Sequence, residues 1–149
     1  MNHRFSRRIL GTLAGLLAAL AVLYLVELVD LAVYPVPTID PGLRDSAALV
    51  MPFGAMLFVI VGWLVGPLVG VLVALRIDHW DASAWILIVL CGLASLFNVM
   101  LLPSSAWTEI AAVVAPVAGG VIGLGLSRHW LARRYARGRV HNAGRGPGG

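Results

Sequence analysis

The chain has 149 residues, of which 60% are hydrophobic and only 12% charged, and its mean hydropathy is +0.91. A soluble fold of this length cannot bury so much apolar surface, so the bilayer must serve as solvent for much of the chain. The formal net charge is +4, all eleven basic residues are arginine, and the lone Cys91 excludes an intrachain disulfide and a C-x-x-C redox pair.

Met1 to Arg8 form a short basic head, residues 1–8, with Arg4, Arg7 and Arg8. From Ile9 to Val26 Thr12 is the one polar residue, and at ~1.5 Å per residue such a run covers most of a ~30 Å hydrocarbon core. The first helix is therefore expected over 9–34. A basic head before an apolar run also resembles an export signal, and Ser6-Arg7-Arg8 is faintly like a twin-arginine motif. The run is too long for the hydrophobic region of a signal and no small-x-small cleavage site follows, so the segment is expected to remain as an anchor.

Pro35, Pro37, Pro41 and Gly42 then break the helix and form a loop that carries Asp40, Arg44 and Asp45. The second helix is expected over 47–75, with Pro52 near its start and Pro67 in its interior. Pro67 has no N–H to give the Trp63 carbonyl, which predicts a kink. Arg76 to Ser83 read as a short polar turn, the third helix as 84–102, ended by Pro103-Ser104-Ser105, and the fourth as 106–127, interrupted by Pro116 and Gly119-Gly120. Residues 128–149 are an arginine-studded tail whose closing G-R-G-P-G-G is expected to be disordered. The fold class is all-α: an integral membrane bundle of four transmembrane helices.

With four spans, the head, the 76–83 turn and the tail share one side and hold ten of the eleven arginines, leaving Arg44 alone on the other. The positive-inside rule then puts both termini in the cytoplasm. Acidic residues show the reverse skew, with Glu27, Asp30, Asp40, Asp45 and Glu109 toward the outer side, against Asp78 and Asp81 inside.

Glu27 lies eight residues before Pro35, which puts it ~12 Å below the outer end of its helix. A carboxyl at that depth must face the bundle, pair, or take up a proton. Asp30 and Tyr34 follow on the same helix face; Cys91, Ser95, Asn98 and Leu102 share a face of the third helix, and Glu109 opens the fourth. Glu27, Asp30, Tyr34, Ser95, Asn98 and Glu109 are thus expected to offer one outer-leaflet site for a cation or proton. The plainer alternative is that Ser95 and Asn98 hydrogen-bond Glu27 and Asp30 to hold helices together, with Glu109 a first-turn acid favoured by the helix dipole.

Small residues recur at four-residue spacing in Gly11, Gly15 and Ala19, in Gly62, Gly66 and Gly70, and in Gly119 and Gly123. That pattern lets helix backbones approach closely. On a helical wheel the Gly11/Gly15 face and the Glu27/Tyr34 face point in different directions, which gives helix one two neighbours and is compatible with a homo-oligomer.

Asp78, His79 and Asp81 resemble a metal-ligand cluster but read better as a solvated turn, so no metal or other cofactor is expected. Arg128, Arg133, Arg134, Arg137 and Arg139 suit anionic lipid headgroups, with Trp130 and Tyr135 at the interface, and topology accounts for them without nucleic acid. All four histidines fall outside the spans, and the chain has no G-x-S-x-G, H-E-x-x-H or phosphate loop, so no catalytic set is expected.

The E-x-x-D-x-x-x-Y-P-x-P segment (Glu27, Asp30, Tyr34, Pro35, Pro37), the G-W-L-V-G stretch from Gly62 to Gly66, and the Asn98 to Pro103 end of helix three resemble small uncharacterised four-helix bacterial inner-membrane proteins. The resemblance covers about residues 9–127 and implies an architecture and a bacterial inner-membrane location, with no activity. In size the chain is also similar to small multidrug transporters, which carry a glutamate in their first helix; here the glutamate is nearer the outer end and its surroundings differ. The expected role is a non-catalytic structural or accessory membrane component, with a proton- or cation-coupled small transporter as the alternative.

Overall fold

The computed structural model describes residues 3–35, 53–101 and 106–143, and these form four helices. They are α1 (His3–Val33), α2 (Phe53–Asp78), α3 (Asp81–Leu101) and α4 (Ala106–Ala143). Each contains a stretch long and apolar enough to cross a membrane. In lipid only a helix or a closed barrel satisfies its own backbone, which is why such runs are helical even where glycine and proline interrupt them. The expected loop residues Pro37, Asp40, Pro41, Gly42, Arg44 and Asp45, the first six residues of the expected second helix including Pro52, Leu102 to Ser105, and the closing Gly-rich tail lie outside the described residues.

Several boundaries differ from the expected ones. The expected polar turn of residues 76–83 shrinks to His79 and Trp80, because α2 runs to Asp78 and α3 begins at Asp81. The basic head is not separate: α1 begins at His3. At the other end α4 continues through the arginine-rich segment to Ala143, because arginine, alanine and leucine propagate a helix once a span has nucleated it.

The bundle is built around α2. Helix α1 packs along α2 and touches α3, whereas α4 packs on α2 and α3; among the described residues α1 and α4 do not meet. The α1/α2 pair is antiparallel. Its register steps from Gly11 against Asp78, through Gly15 against Ala74 and Gly70, Ala19 against Gly66, and Leu23 against Gly62 and Gly66, to Tyr34 against Gly54. Helices α2 and α4 run parallel, with Gly119 against Leu64 and Gly123 against Leu68.

Glycine sets the closeness of both contacts. A Cβ added at Gly15 would lie 2.6 Å from the Gly70 carbonyl oxygen, and one at Gly123 would lie 2.8 Å from that of Leu68. At Gly119 it would run into the Leu64 carbonyl itself. Dispersion and close backbone contact hold such helices, since lipid tails remove the usual hydrophobic drive between them.

Helix one has two neighbours, α2 and α3, and both its glycine face and its Tyr34 end lie against the first of them. Four residues turn an α-helix by ~40° more than one full turn, so a stripe of four-spaced small residues winds around α1. A crossing helix follows that stripe from Gly11 to Tyr34.

The core has an inner and an outer part. The inner cluster joins Val71, Ala74 and Leu75 of α2 to Ala84, Leu87 and Ile88 of α3 and Leu124 of α4. The outer cluster groups Trp63, Val99, Ala112 and Ala115. Much of the remaining apolar surface points outward: 17% of the span window of α1 and at most 39% in the other helices is buried, so most of each helix is left for hydrocarbon.

Candidate functional site

Aromatic and arginine side chains mark two rims. At one end Tyr34 meets the Phe58 ring edge-on at 6.2 Å, and Phe53 lies 6.0 Å from Trp107. At the other end Arg8 stacks 4.5 Å above Trp80, Arg76 lies 5.2 Å from Trp130, and Arg7 Nε donates to the Ile77 carbonyl at 2.7 Å. The tyrosine, tryptophan and arginine side chains among these carry an apolar body and a polar tip, and they belong at membrane–water boundaries.

The turn between α2 and α3 is organised rather than loose. Asp78 accepts from the Trp80 backbone N–H at 3.0 Å and from the Ser83 hydroxyl, tying the end of one helix to the start of the next. His79 sits at φ 54° as the left-handed residue that terminates α2. Asp81 pairs with Arg128 of α4 at 2.5 Å. Among the described residues no three His, Cys, Asp or Glu side chains gather as metal ligands.

The acidic residues singled out in the sequence do not share one cavity. Glu27 is exposed on the outside of α1, because the stripe facing α2 is occupied by Gly11, Gly15, Ala19 and Val26. Asp30 is half-buried, and its Oδ1 is closed off without a hydrogen-bond donor among the described residues. Tyr34 is half-buried against Gly54 of α2, and its backbone N–H donates to the Asp30 carbonyl at 2.7 Å.

Glu109 and Asn98 stand elsewhere. Glu109 is exposed at the start of α4; continuing the α2/α4 register outward brings it level with Gly54, but on a helix that does not touch α1. Asn98 is exposed on α3, where the buried positions from residue 91 onward are Cys91, Ser95 and Val99, so the inward face there follows four-residue spacing and leaves Asn98 outside. Glu27 and Asp30 remain neighbours one turn apart on α1, and Asp30 and Tyr34 follow one another toward the α2 side.

Ser95 has a different partner from the carboxylates expected for it. Its Oγ donates to the Ala112 carbonyl of α4 at 2.5 Å, with its own Gly92 carbonyl at 2.9 Å. Ala112 is the residue whose carbonyl loses its usual helical donor to Pro116. The sequence held the signal: an intramembrane proline exposes the carbonyl four residues back, and a serine on an adjacent helix is the donor for it.

These spans and rims define a multi-pass membrane protein with a four-helix bundle. No protein-family model matches the chain, and neither a curated protein nor a solved structure is similar to it.

Proposed function

We propose that the protein is a non-catalytic structural or accessory component of a bacterial inner membrane, with both termini in the cytoplasm and the arginine-rich end of α4 against anionic headgroups. The observation that supports this reading is the dispersal of its intramembrane acids. Glu27 faces outward, Asp30 is half-buried, and Glu109 belongs to a helix that does not touch the one carrying them. A carrier needs polar groups converging on a pathway, whereas Ser95 here is engaged in holding a helix together.

One observation favours a second reading, a proton- or cation-coupled small transporter. The enclosed, donorless Oδ1 of Asp30 is the kind of intramembrane carboxyl that exchanges a proton or holds a cation. Purified protein reconstituted into liposomes with an imposed proton, sodium or potassium gradient separates the two. The accessory reading expects ion leakage equal to that of protein-free liposomes. Flux that disappears in Asp30→Asn while the variant stays folded would replace it with the transport reading.

A further inference from the structure

Helix α1 has two unlike faces. Gly11, Gly15, Ala19, Leu23 and Val26 lie against α2. Away from that contact, at ~100° per residue, Leu13, Leu17, Leu20, Tyr24, Glu27 and Leu31 fall within about a quarter turn of one another, with Glu27 at the edge nearest α2. All six are exposed, Leu17 by 67% and Tyr24 by 61%. Their spacing alternates between four and three residues, the repeat of a seam between two helices in a left-handed pair.

Glu27 is the member of this seam that lipid does not suit. Its neighbour Val26 packs on Gly62, and α2 carries no polar side chain from Gly62 out to Phe53. Nine more residues, ~13 Å of apolar helix, therefore lie beyond the level of Glu27, and its carboxyl stands inside the apolar slab. Among the described residues it has no hydrogen-bond partner, and α4 does not reach α1 to supply one. A polar partner at the same depth removes that penalty.

We propose that this seam of α1 pairs with the same seam of a second copy of the chain, forming a two-fold dimer in which the two Glu27 carboxyl groups hydrogen-bond to each other within the bilayer. Two copies enter the membrane in the same orientation, so a two-fold axis along the membrane normal brings each residue opposite its counterpart. Leucine then meets leucine, and Glu27 meets a carboxyl at its own depth without further requirement. The carboxylic acid group is self-complementary, since it combines a donor and an acceptor. A partner of different sequence would have to carry a polar group at that level by design. The pairing holds under either functional reading above.

The test is cysteine cross-linking of the full-length protein in native membranes, with the buried Cys91 retained and the unsubstituted chain as the blank. Leu17→Cys and Leu20→Cys are expected to oxidise to covalent dimers, while Leu93→Cys, 60% exposed on α3, is not. Adding Glu27→Leu should lower the dimer yield about five- to tenfold, and Glu27→Gln, whose amide also donates and accepts, should leave it within about threefold. Three results would each overturn the proposal. They are no dimer from either seam cysteine, equal cross-linking from Leu93→Cys, and seam cysteines bonded to a different protein in place of a second copy. An undiminished yield in Glu27→Leu would remove the carboxyl pair from it.

Discussion

Ser95 Oγ lies 2.5 Å from the carbonyl oxygen of Ala112, the one main-chain acceptor in α4 that Pro116 leaves without its helical donor. Both Ser95 and Pro116 are buried, so no lipid headgroup or bulk water reaches the gap. The hydroxyl thus completes a helix to which it does not belong, and in doing so it fixes α3 against α4.

Ser95→Ala strands that carbonyl and should lower stability by about 1 kcal/mol. Pro116→Ala returns an N–H to position 116, so in that background Ser95→Ala should lose most of its effect. Reversible unfolding in mixed micelles measures all four proteins of the cycle. Strictly additive losses would show that the two residues do not share an acceptor.

The glycines divide into two groups with opposite expectations. Gly119→Ala drives a methyl group into the Leu64 carbonyl, and Gly15→Ala does the same at Gly70, so each should destabilise by about 1–3 kcal/mol. A Cβ at Gly92 or Gly125 meets nothing within 4 Å. Alanine there should be neutral or stabilising by up to about 1 kcal/mol through helix propensity. The same unfolding measurement ranks the four variants, and equal effects across both groups would mean that the close approach of α2 to its neighbours is wrong.

His79 occupies the left-handed backbone region at φ 54°, which strains any residue with a Cβ. Glycine is the natural occupant at this place beyond a helix end. His79→Gly should raise stability by about 1 kcal/mol. A loss would indicate that the imidazole makes a contact of its own.

Ten of eleven arginines lie in the end turns of the helices on one side, in the arginine-rich extension of α4 there, or beyond it. Reporter fusions after the last residue and ahead of the first should both report the cytoplasm. Moving arginines from the start of α1 into the Asp40–Asp45 segment should reduce that uniformity. Fusions that report opposite faces would require an odd number of crossings.

The four spans were legible because hydropathy accumulates over some twenty residues, and no local competition overrides a signal of that length. Boundaries were less so: a wheel or a charge count does not reveal that arginine-rich residues 128–143 prolong α4. The orientation of α1 is legible in part: the four-residue spacing of Gly11, Gly15 and Ala19 marks the side that meets α2, but nearly every other face is apolar, and the winding of that stripe around a crossing partner is a property of two helices together. Glu27 was therefore expected inside a pocket and is found outside one. Ser95 was recognised as an inward polar residue, but its partner is a main-chain carbonyl on a helix that sequence spacing cannot bring alongside.

The glycine contacts on two sides of α2 also prescribe an order of events at the ribosome. When α1 leaves the insertion machinery it has nothing to close upon, and it must wait in the bilayer as a lone segment until α2 is released beside it. A nascent chain halted just after Asp78 already contains the complete α1/α2 hairpin and should resist membrane proteases. One halted before Gly62 should be cleared, because the zipper that retains α1 has not yet been made.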